Sequence, residues 1–309
     1  MKRDFSQSNW NDQLVDDCRA LTRLAAREDL DQGYDWTTVA LVPESSTGQA
    51  DLVAREAGHA AGLAAIPVII AELEAEIAWS PAITDGDQFG PQTRLGTLTG
   101  NVRDLLTTER IILNFVGRMC GIATLTGQYV AHTIGTAAHV YDTRKTCPGY
   151  RRLDKYSVHC GGGRNHRSGL YDAILIKDNH LAFGNTDATR HFTPGEAVQA
   201  AQEFVRTSIP ANLAADMLIE IEVDSLEQLA LVLPVAPDIV LLDNMTCEQL
   251  REAVQMRDTA GDPQIELEAS GGVNLQTVAQ IARTGVDRIS VGALTHSARC
   301  LDIGLDWLI

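Results

Sequence analysis

Between Tyr141 and His180 the chain reads YDTRKTCPGYRRLDKYSVHCGGGRNHRSGLYDAILIKDNH. From Arg144 to Arg167 this stretch carries Arg144, Lys145, Arg151, Arg152, Lys155, Arg164 and Arg167, with His159 and His166 among them and Asp154 as the one acid. The formal net charge of the whole chain is -16, so a basic island needs a reason. Solvated faces normally mix signs. Gly161, Gly162 and Gly163 interrupt the island, where backbone without a Cβ approaches a ligand closely. The strand-like run Ala173 to Ile176 then delivers Lys177, Asp178, Asn179 and His180. The chemistry on offer is capture of a small anion, because guanidinium groups grip carboxylates and phosphates in a bidentate fork. The competing reading is a solvated charged face broken by a flexible turn.

Two acids and two glycine triplets extend the set. Glu222 and Asp243 each close an apolar run, and two carboxylates beside a basic pocket are costly unless a cation joins them. Mg²⁺ fits, since it takes oxygen ligands and keeps several waters. Simple pairing of Glu222 and Asp243 with Lys177 or an arginine is the alternative. Ser270-Gly271-Gly272 reads as the opening of a helix and Val291-Gly292-Ala293 as the end of a strand; amides at such positions point at a phosphate.

The elements that must position these groups follow a rhythm from about residue 137 onward: AAHVYD then TRKT, DAILI then KDNH, MLIEI then EVDS, DIVLL then DNM, IELEA then SGGVN, DRISV then GALTH. Apolar runs read as continuous strands, and they alternate with amphipathic segments such as LEQLALVL. This predicts a parallel sheet covered by helices. Six such units with polar groups after each strand fit a closed or nearly closed α/β barrel better than an open doubly wound sheet, and barrel sites lie at the carboxyl ends of the strands.

The first 100 or so residues mix helices and short strands without that rhythm, as in an α+β domain. Leu14, Val15, Cys18, Leu21, Leu24 and Ala25 form one helical face ending near Glu28. EDLDQGYDWTT reads as a loop. Ile66 to Ile77 reads as a helix with Pro67 in its first turn. Asp104 to Thr133 reads as one long helix or two, with Thr107 or Thr108 as N-cap. Arg110, Asn114 and Arg118 share a side of it, facing either solvent or an anion.

Composition narrows the classes. The 309 residues are 45% hydrophobic and 21% charged, which argues against disorder. No apolar run approaches the roughly 20 residues of a membrane span. The opening MKRDFSQSNWNDQ lacks the apolar core of a secretory signal, so a cytoplasmic protein is expected. Strong negative charge disfavours nucleic acid and anionic lipid. Six scattered cysteines without a C-x-x-C pair predict thiols, with neither a zinc site nor a disulfide framework.

The segments ERIILNFVGRMCGIAT, TRKTCPGYRRLDKYSVHCGGGRNHRSGLYDAILIKDNH, IEIEVDSLEQL, DIVLLDNM, ELEASGGVNLQT and GVDRISVGALTHSARCLDIGLDW closely resemble the quinolinate phosphoribosyltransferase family, as do EDLDQGYDWTT and ADLVAREAGHAAGL. The resemblance implies a type II phosphoribosyltransferase: an N-terminal α+β sandwich domain, here residues 1–127, followed by an incomplete TIM-like α/β barrel, residues 128–309, whose last segment packs back on the first domain. It implies a homodimer with sites shared between subunits, quinolinate and phosphoribosyl pyrophosphate as substrates, and Mg²⁺. Motif by motif, Arg144, His166, Arg167 and Lys177 would hold the two carboxylates of quinolinate, with Arg110 reaching in from the partner and Arg118 nearby. Lys145, Glu222 and Asp243 would handle ribose, pyrophosphate and metal. Ser270, Gly271, Gly272, Gly292 and His296 would surround the 5-phosphate. Cys147 stands where the family often has threonine and is given no role. The rival readings are a nicotinate phosphoribosyltransferase, a barrel lyase with Lys177 as Schiff-base nucleophile, and a non-catalytic phosphate-binding protein.

Overall fold

The computed structural model describes residues 4–184, 191–260 and 264–308. The first three residues of the N-terminal stretch considered above lie outside them. The chain forms two compact units, each assembled from separate stretches. One comprises Ser8–Gly127, Lys145–Gly163 and Ala293–Ile309; the other comprises Met1–Gln7, Gln128–Arg144 and Arg164–Gly292.

In the first unit, β1 (Thr47–Ala54), β3 (Ile77–Pro81), β5 (Arg94–Asn101) and the chain's last strand, β12 (Ile303–Trp307), form an antiparallel sheet in the order β12-β1-β5-β3. β2 (Gly58–His59) and β4 (Gln88–Phe89) pair separately. The helices Asp12–Leu30, Ile66–Glu72, Val102–Ala131 and Arg151–Cys160 bury Leu14, Cys18, Ile66, Ile69, Ile112, Val116 and Leu153 in one core with Leu52, Leu95 and Leu98 of the sheet.

Several local expectations need correction. The stretch read as a loop, Glu28–Thr38, begins in the last turn of Asp12–Leu30 and ends in a further helix, Trp36–Leu41, started by the Asp35 carboxylate accepting from the Thr38 amide at 3.0 Å. Six residues are too few to show a helical period. The helix from Ile66 ends at Glu72, and Ile77 already belongs to β3. Val102–Ala131 is a single helix of 30 residues. Thr108 does not cap it. Its hydroxyl is buried and donates to the Asp104 carbonyl one turn back, while Asn101 accepts from the Arg103 amide at the true start. Gly121 on this helix has no substitute, because an added Cβ would lie 1.9 Å from the Arg299 carbonyl where the C-terminal segment crosses.

The second unit carries a parallel sheet of six strands: β6 (His139–Tyr141), β7 (Ala173–Ile176), β8 (Leu218–Val223), β9 (Ile239–Asp243), β10 (Glu266–Ser270) and β11 (Arg288–Ser290). Their order is β6-β11-β10-β9-β8-β7. The edge strands β6 and β7 are consecutive in sequence and do not pair, so the sheet is an incomplete barrel rather than a closed one. Side chains alternate faces along a strand. Ile219, Ile221, Val240, Leu242, Leu267 and Ile289 fall on one face and are buried, with helices Pro194–Ser208 and Leu226–Val232 packed on β8. The other face is not apolar throughout. Above a small cluster of Phe5, Tyr141, Ala173, Leu218 and Ile239 it presents Glu220, Glu222, Glu266, Glu268 and Arg288. The reading of continuous apolar strands is therefore corrected for β8 and β10.

Candidate active site

Strand register fixes the rim. Ile176 is opposite Ile221, Glu222 opposite Leu241, and Ser270 opposite Asp243. Lys177, Glu222, Asp243 and Ser270 therefore stand at the carboxyl ends of four neighbouring strands. Ser290 is opposite Tyr141, which brings Gly292 and Arg144 to the same edge, two and three residues farther on. Lys177 Nζ is paired with the Glu222 carboxylate, and their side chains are 41% and 19% exposed. The simple pairing considered for Glu222 is thus present. A half-exposed ammonium held by a carboxylate lacks the apolar pocket that a Schiff-base lysine requires.

Asp243 accepts from the Asn244 side-chain amide at 2.7 Å, and the Asn244 backbone amide donates to the Ser270 carbonyl at 2.9 Å. Asn244, Gly271 and Gly272 all have positive φ, at 54°, 94° and 62°. A Cβ on Gly271 would lie 2.1 Å from Asn244 Oδ1, so this glycine is required by close approach as well as by conformation. The triplet does not open a helix. The next helix, Val278–Ala282, begins only after a turn in which Asn274 accepts from the Gln276 and Thr277 amides. Any phosphate recognition here comes from loop amides rather than from a helix terminus.

Arg144 follows β6, and its buried Nε has no hydrogen-bond partner among the described residues. Arg167 is 7% exposed and donates from Nη1 to the Ala173 carbonyl at 3.2 Å. Burial lowers its pKa, and the Arg144 charge lowers it further. Two guanidinium groups thus repel each other at one edge of the sheet. His166 does not stand beside them as a third clamp. Its Nδ1 accepts from the Arg167 amide at 2.8 Å and its Nε2 lies 3.0 Å from Glu220, so both nitrogens are engaged inside the barrel. Its contacts here are to the Arg167 backbone and the Glu220 carboxylate.

Arg110, Lys145, His296 and Arg118 belong to the other unit. Arg110, Lys145 and His296 are exposed; Lys145 offers its carbonyl to the Thr295 hydroxyl, and His296 Nδ1 is 2.7 Å from Ser297 Oγ. Arg118 is engaged internally. It makes a bidentate pair with Asp154 at 2.9 Å, donates to the Thr295 carbonyl and lies over the Tyr150 ring. These contacts give Arg118 a structural role in this unit.

The family model described as quinolinate phosphoribosyl transferase, C-terminal domain, matches residues 122–306, and the one for the N-terminal domain matches residues 35–120. The chain belongs to the quinolinate phosphoribosyltransferase family. It is 43% identical over 300 residues to a nicotinate-nucleotide pyrophosphorylase (carboxylating) of Mycobacterium leprae, covering 95% of this chain and 100% of that one. A quinolinate phosphoribosyltransferase (decarboxylating) of Nicotiana tabacum, described as mitochondrial, is 35% identical over 307 residues, 94% of this chain and 82% of its own. The structure of the nicotinate-nucleotide pyrophosphorylase from Francisella tularensis superposes with a TM-score of 0.86 at 33% identity, covering 99% of this chain and 100% of that one.

Within this family member, sequence reasoning passed over Glu220 and Glu268, both fully buried and both facing His166 Nε2, at 3.0 and 3.6 Å. A signal was present. Glu220 precedes Glu222 by two residues on β8 and Glu268 precedes Ser270 by two on β10, so each shares a face with a rim residue. Burial pushes the Glu268 pKa up to about 7, against a lowering by His166 and with a further rise from Glu220.

Proposed function

We propose that the chain transfers the 5-phosphoribosyl group of phosphoribosyl pyrophosphate to the ring nitrogen of quinolinate with loss of CO₂, giving nicotinate mononucleotide and pyrophosphate in de novo NAD synthesis. The observation that carries this reading is a pair of guanidinium groups with donors to spare: the buried Arg144 Nε has no hydrogen-bond partner among the described residues, and Arg167 is buried beside the Arg144 charge. A ligand with two carboxylates relieves both cations at once, whereas nicotinate supplies one carboxylate only.

Arg144 and Arg167 clamp the quinolinate carboxylates, with Lys177 as an additional cation and the partner's Arg110 completing the site in a homodimer. The pyridine nitrogen already carries a lone pair, so no general base is needed. It attacks C1 of the ribose as pyrophosphate leaves, through a transition state with oxocarbenium character. Glu222 and Asp243 stabilise positive charge on the sugar, and Lys145 steadies the departing pyrophosphate. Ser270, Gly271, Gly272, Gly292 and His296 orient the 5-phosphate. The 2-carboxylate then leaves as CO₂, and its electron pair passes into the ring, whose nitrogen is now quaternised.

Glu222 and Asp243 offer hard oxygen donors from adjacent strand ends, a donor set suited to Mg²⁺. They would hold it, and when bound it screens the charge of the diphosphate. Glu222, which pairs with Lys177 here, would be one of the two carboxylates to hold it. Among the described residues no helix is long and apolar enough to cross a membrane.

The test is a product assay with phosphoribosyl pyrophosphate and carboxyl-labelled quinolinate, run beside nicotinate and with or without chelator. Labelled CO₂ released in step with nicotinate mononucleotide, and lost on chelation until Mg²⁺ is restored, is the expected result. Consumption of nicotinate alone overturns the acceptor assignment; activity that survives chelation overturns the metal.

A further inference from the structure

Below the rim lies a polar cluster that the proposed reaction does not use. His166 is 6% exposed and Glu220 and Glu268 are fully buried. Because His166 Nδ1 accepts from the Arg167 amide, its ring proton resides on Nε2, which faces the two carboxylates. The Phe5 ring lies against the imidazole with centroids 4.5 Å apart. The imidazole is thus held at both nitrogens and on one face. The groups around it come from four places: Glu220 from β8, Glu268 from β10, Phe5 from the N-terminal segment, and Arg288 with Ser290 from β11, both acting on Glu268.

We propose that Glu220 is a positioning residue for quinolinate: by seating the Nε2–H of His166 it fixes the ring whose Nδ1 anchors the backbone at Arg167, and so aims the Arg167 guanidinium, while Glu268, 3.6 Å from the same Nε2, modulates that seat. This rests on the assignment of Arg167 to quinolinate. The Nε2 faces both oxygens of Glu220, at 3.3 Å from Oε1 and 3.0 Å from Oε2. Replacing that carboxylate by an isosteric amide keeps the packing and loosens the seat. Glu268 has a different task. With its pKa raised to about 7 by burial, it holds a proton at lower pH and leaves the N–H to Glu220. Once ionised, it competes for that N–H and places a second negative charge behind a site built for a dianion.

The test uses full-length Glu220→Gln and Glu268→Gln, with steady-state kinetics for both substrates from pH 6 to pH 8.5. Glu220→Gln should raise the KM for quinolinate about tenfold while kcat and the KM for phosphoribosyl pyrophosphate stay within about twofold. In the wild type the quinolinate KM should rise above pH 7, and in Glu268→Gln that rise should vanish. An unchanged quinolinate KM in Glu220→Gln, or a parallel loss of kcat and of both KM values, overturns the proposal. Because the three side chains lie within metal-ligand reach of one another, metal analysis of the purified protein is included. A stoichiometric ion lost in either variant also overturns it. Spectra of ¹⁵N-labelled histidine read the tautomer independently of turnover: Nε2-protonated in the wild type is expected, and a ring protonated on Nδ1 refutes the seat. A wild-type protein that ignores quinolinate sinks the functional reading instead and leaves the seat to be decided by the spectrum.

Discussion

Arg118 distinguishes a structural from a substrate role most sharply. Its guanidinium forms a two-pronged bond with Asp154, whose side chain is 1% exposed, and it also reaches the Thr295 carbonyl and the Tyr150 ring. Truncation to alanine strands a buried carboxylate without its guanidinium, a change that costs about 3–5 kcal/mol. That is a large share of the roughly 5–15 kcal/mol by which folded proteins exceed their unfolded states. With a urea slope of about 2 kcal/mol/M, the unfolding midpoint should fall by about 2 M. Asp154→Asn removes the buried charge and should cost less. Combining it with Arg118→Met, which fills the same space, should recover much of the loss, because replacing both members of a buried pair by groups of similar volume is often near neutral. Urea titrations of wild type, Arg118→Met, Asp154→Asn and their combination provide the cycle, with Arg118→Ala measured beside them, and quinolinate kinetics on the folded fraction provide the control. A loss below about 1 kcal/mol in Arg118→Ala, together with a tenfold higher quinolinate KM, would refute the structural assignment and return Arg118 to the substrate.

Arg144→Lys and Arg167→Lys each keep a charge and lose the fork, so quinolinate kcat/KM should fall about tenfold or more while the KM for phosphoribosyl pyrophosphate hardly moves; equal effects on both substrates would count against a carboxylate clamp. Gly271→Ala should cost stability and raise the KM for phosphoribosyl pyrophosphate, because its new Cβ displaces the Asn244 side chain that holds Asp243; Gly272→Ala, with open space around it, should cost only about 1 kcal/mol and leave that KM alone. The raised pKa of Glu268 means that the folded state keeps a proton the unfolded chain has released above its ordinary 4.5. Wild-type stability should therefore fall as pH climbs from about 4.5 to about 7 and level off beyond. The gap to Glu268→Gln should widen in the variant's favour by up to about 3 kcal/mol over that window, as read from melts at pH 5 and pH 8.

The parallel strands were legible because each carries apolar residues at least at every other position and ends in polar residues, and all six fall where the rhythm places them. What local pattern carries poorly is anything decided by a single hydrogen bond or by a distant partner. Trp36–Leu41 depends on one carboxylate of Asp35. Thr108 has the side chain of a cap, yet its hydroxyl turns back to Asp104 inside the helix. β12 exists because its residues meet β1, with Ile303 opposite Ala54 and Trp307 opposite Ala50, a pairing with no local trace in the sequence.

The rim residues were found by type and position, but what stands beneath them was not, and the reason is the face on which it stands. A strand read as apolar hides a second pattern when every other residue is charged. LIEIEV sends Leu218, Glu220 and Glu222 inward together, and ELEAS does the same with Glu266, Glu268 and Ser270. The inward column of β8 thus rises from an apolar floor at Leu218, through a buried carboxylate against His166, to a rim carboxylate paired with Lys177. Burying so many polar groups is costly unless each is held. At the lower level Arg288 is held: it bonds Glu266 and Asp4 and lies over the rings of Phe5 and Tyr141. A core of leucine and valine would stabilise the barrel more, but it would offer nothing to fix an imidazole or to aim a guanidinium. The polar interior is therefore a positioning layer, and a substitution there should be read first in quinolinate KM and only second in melting temperature.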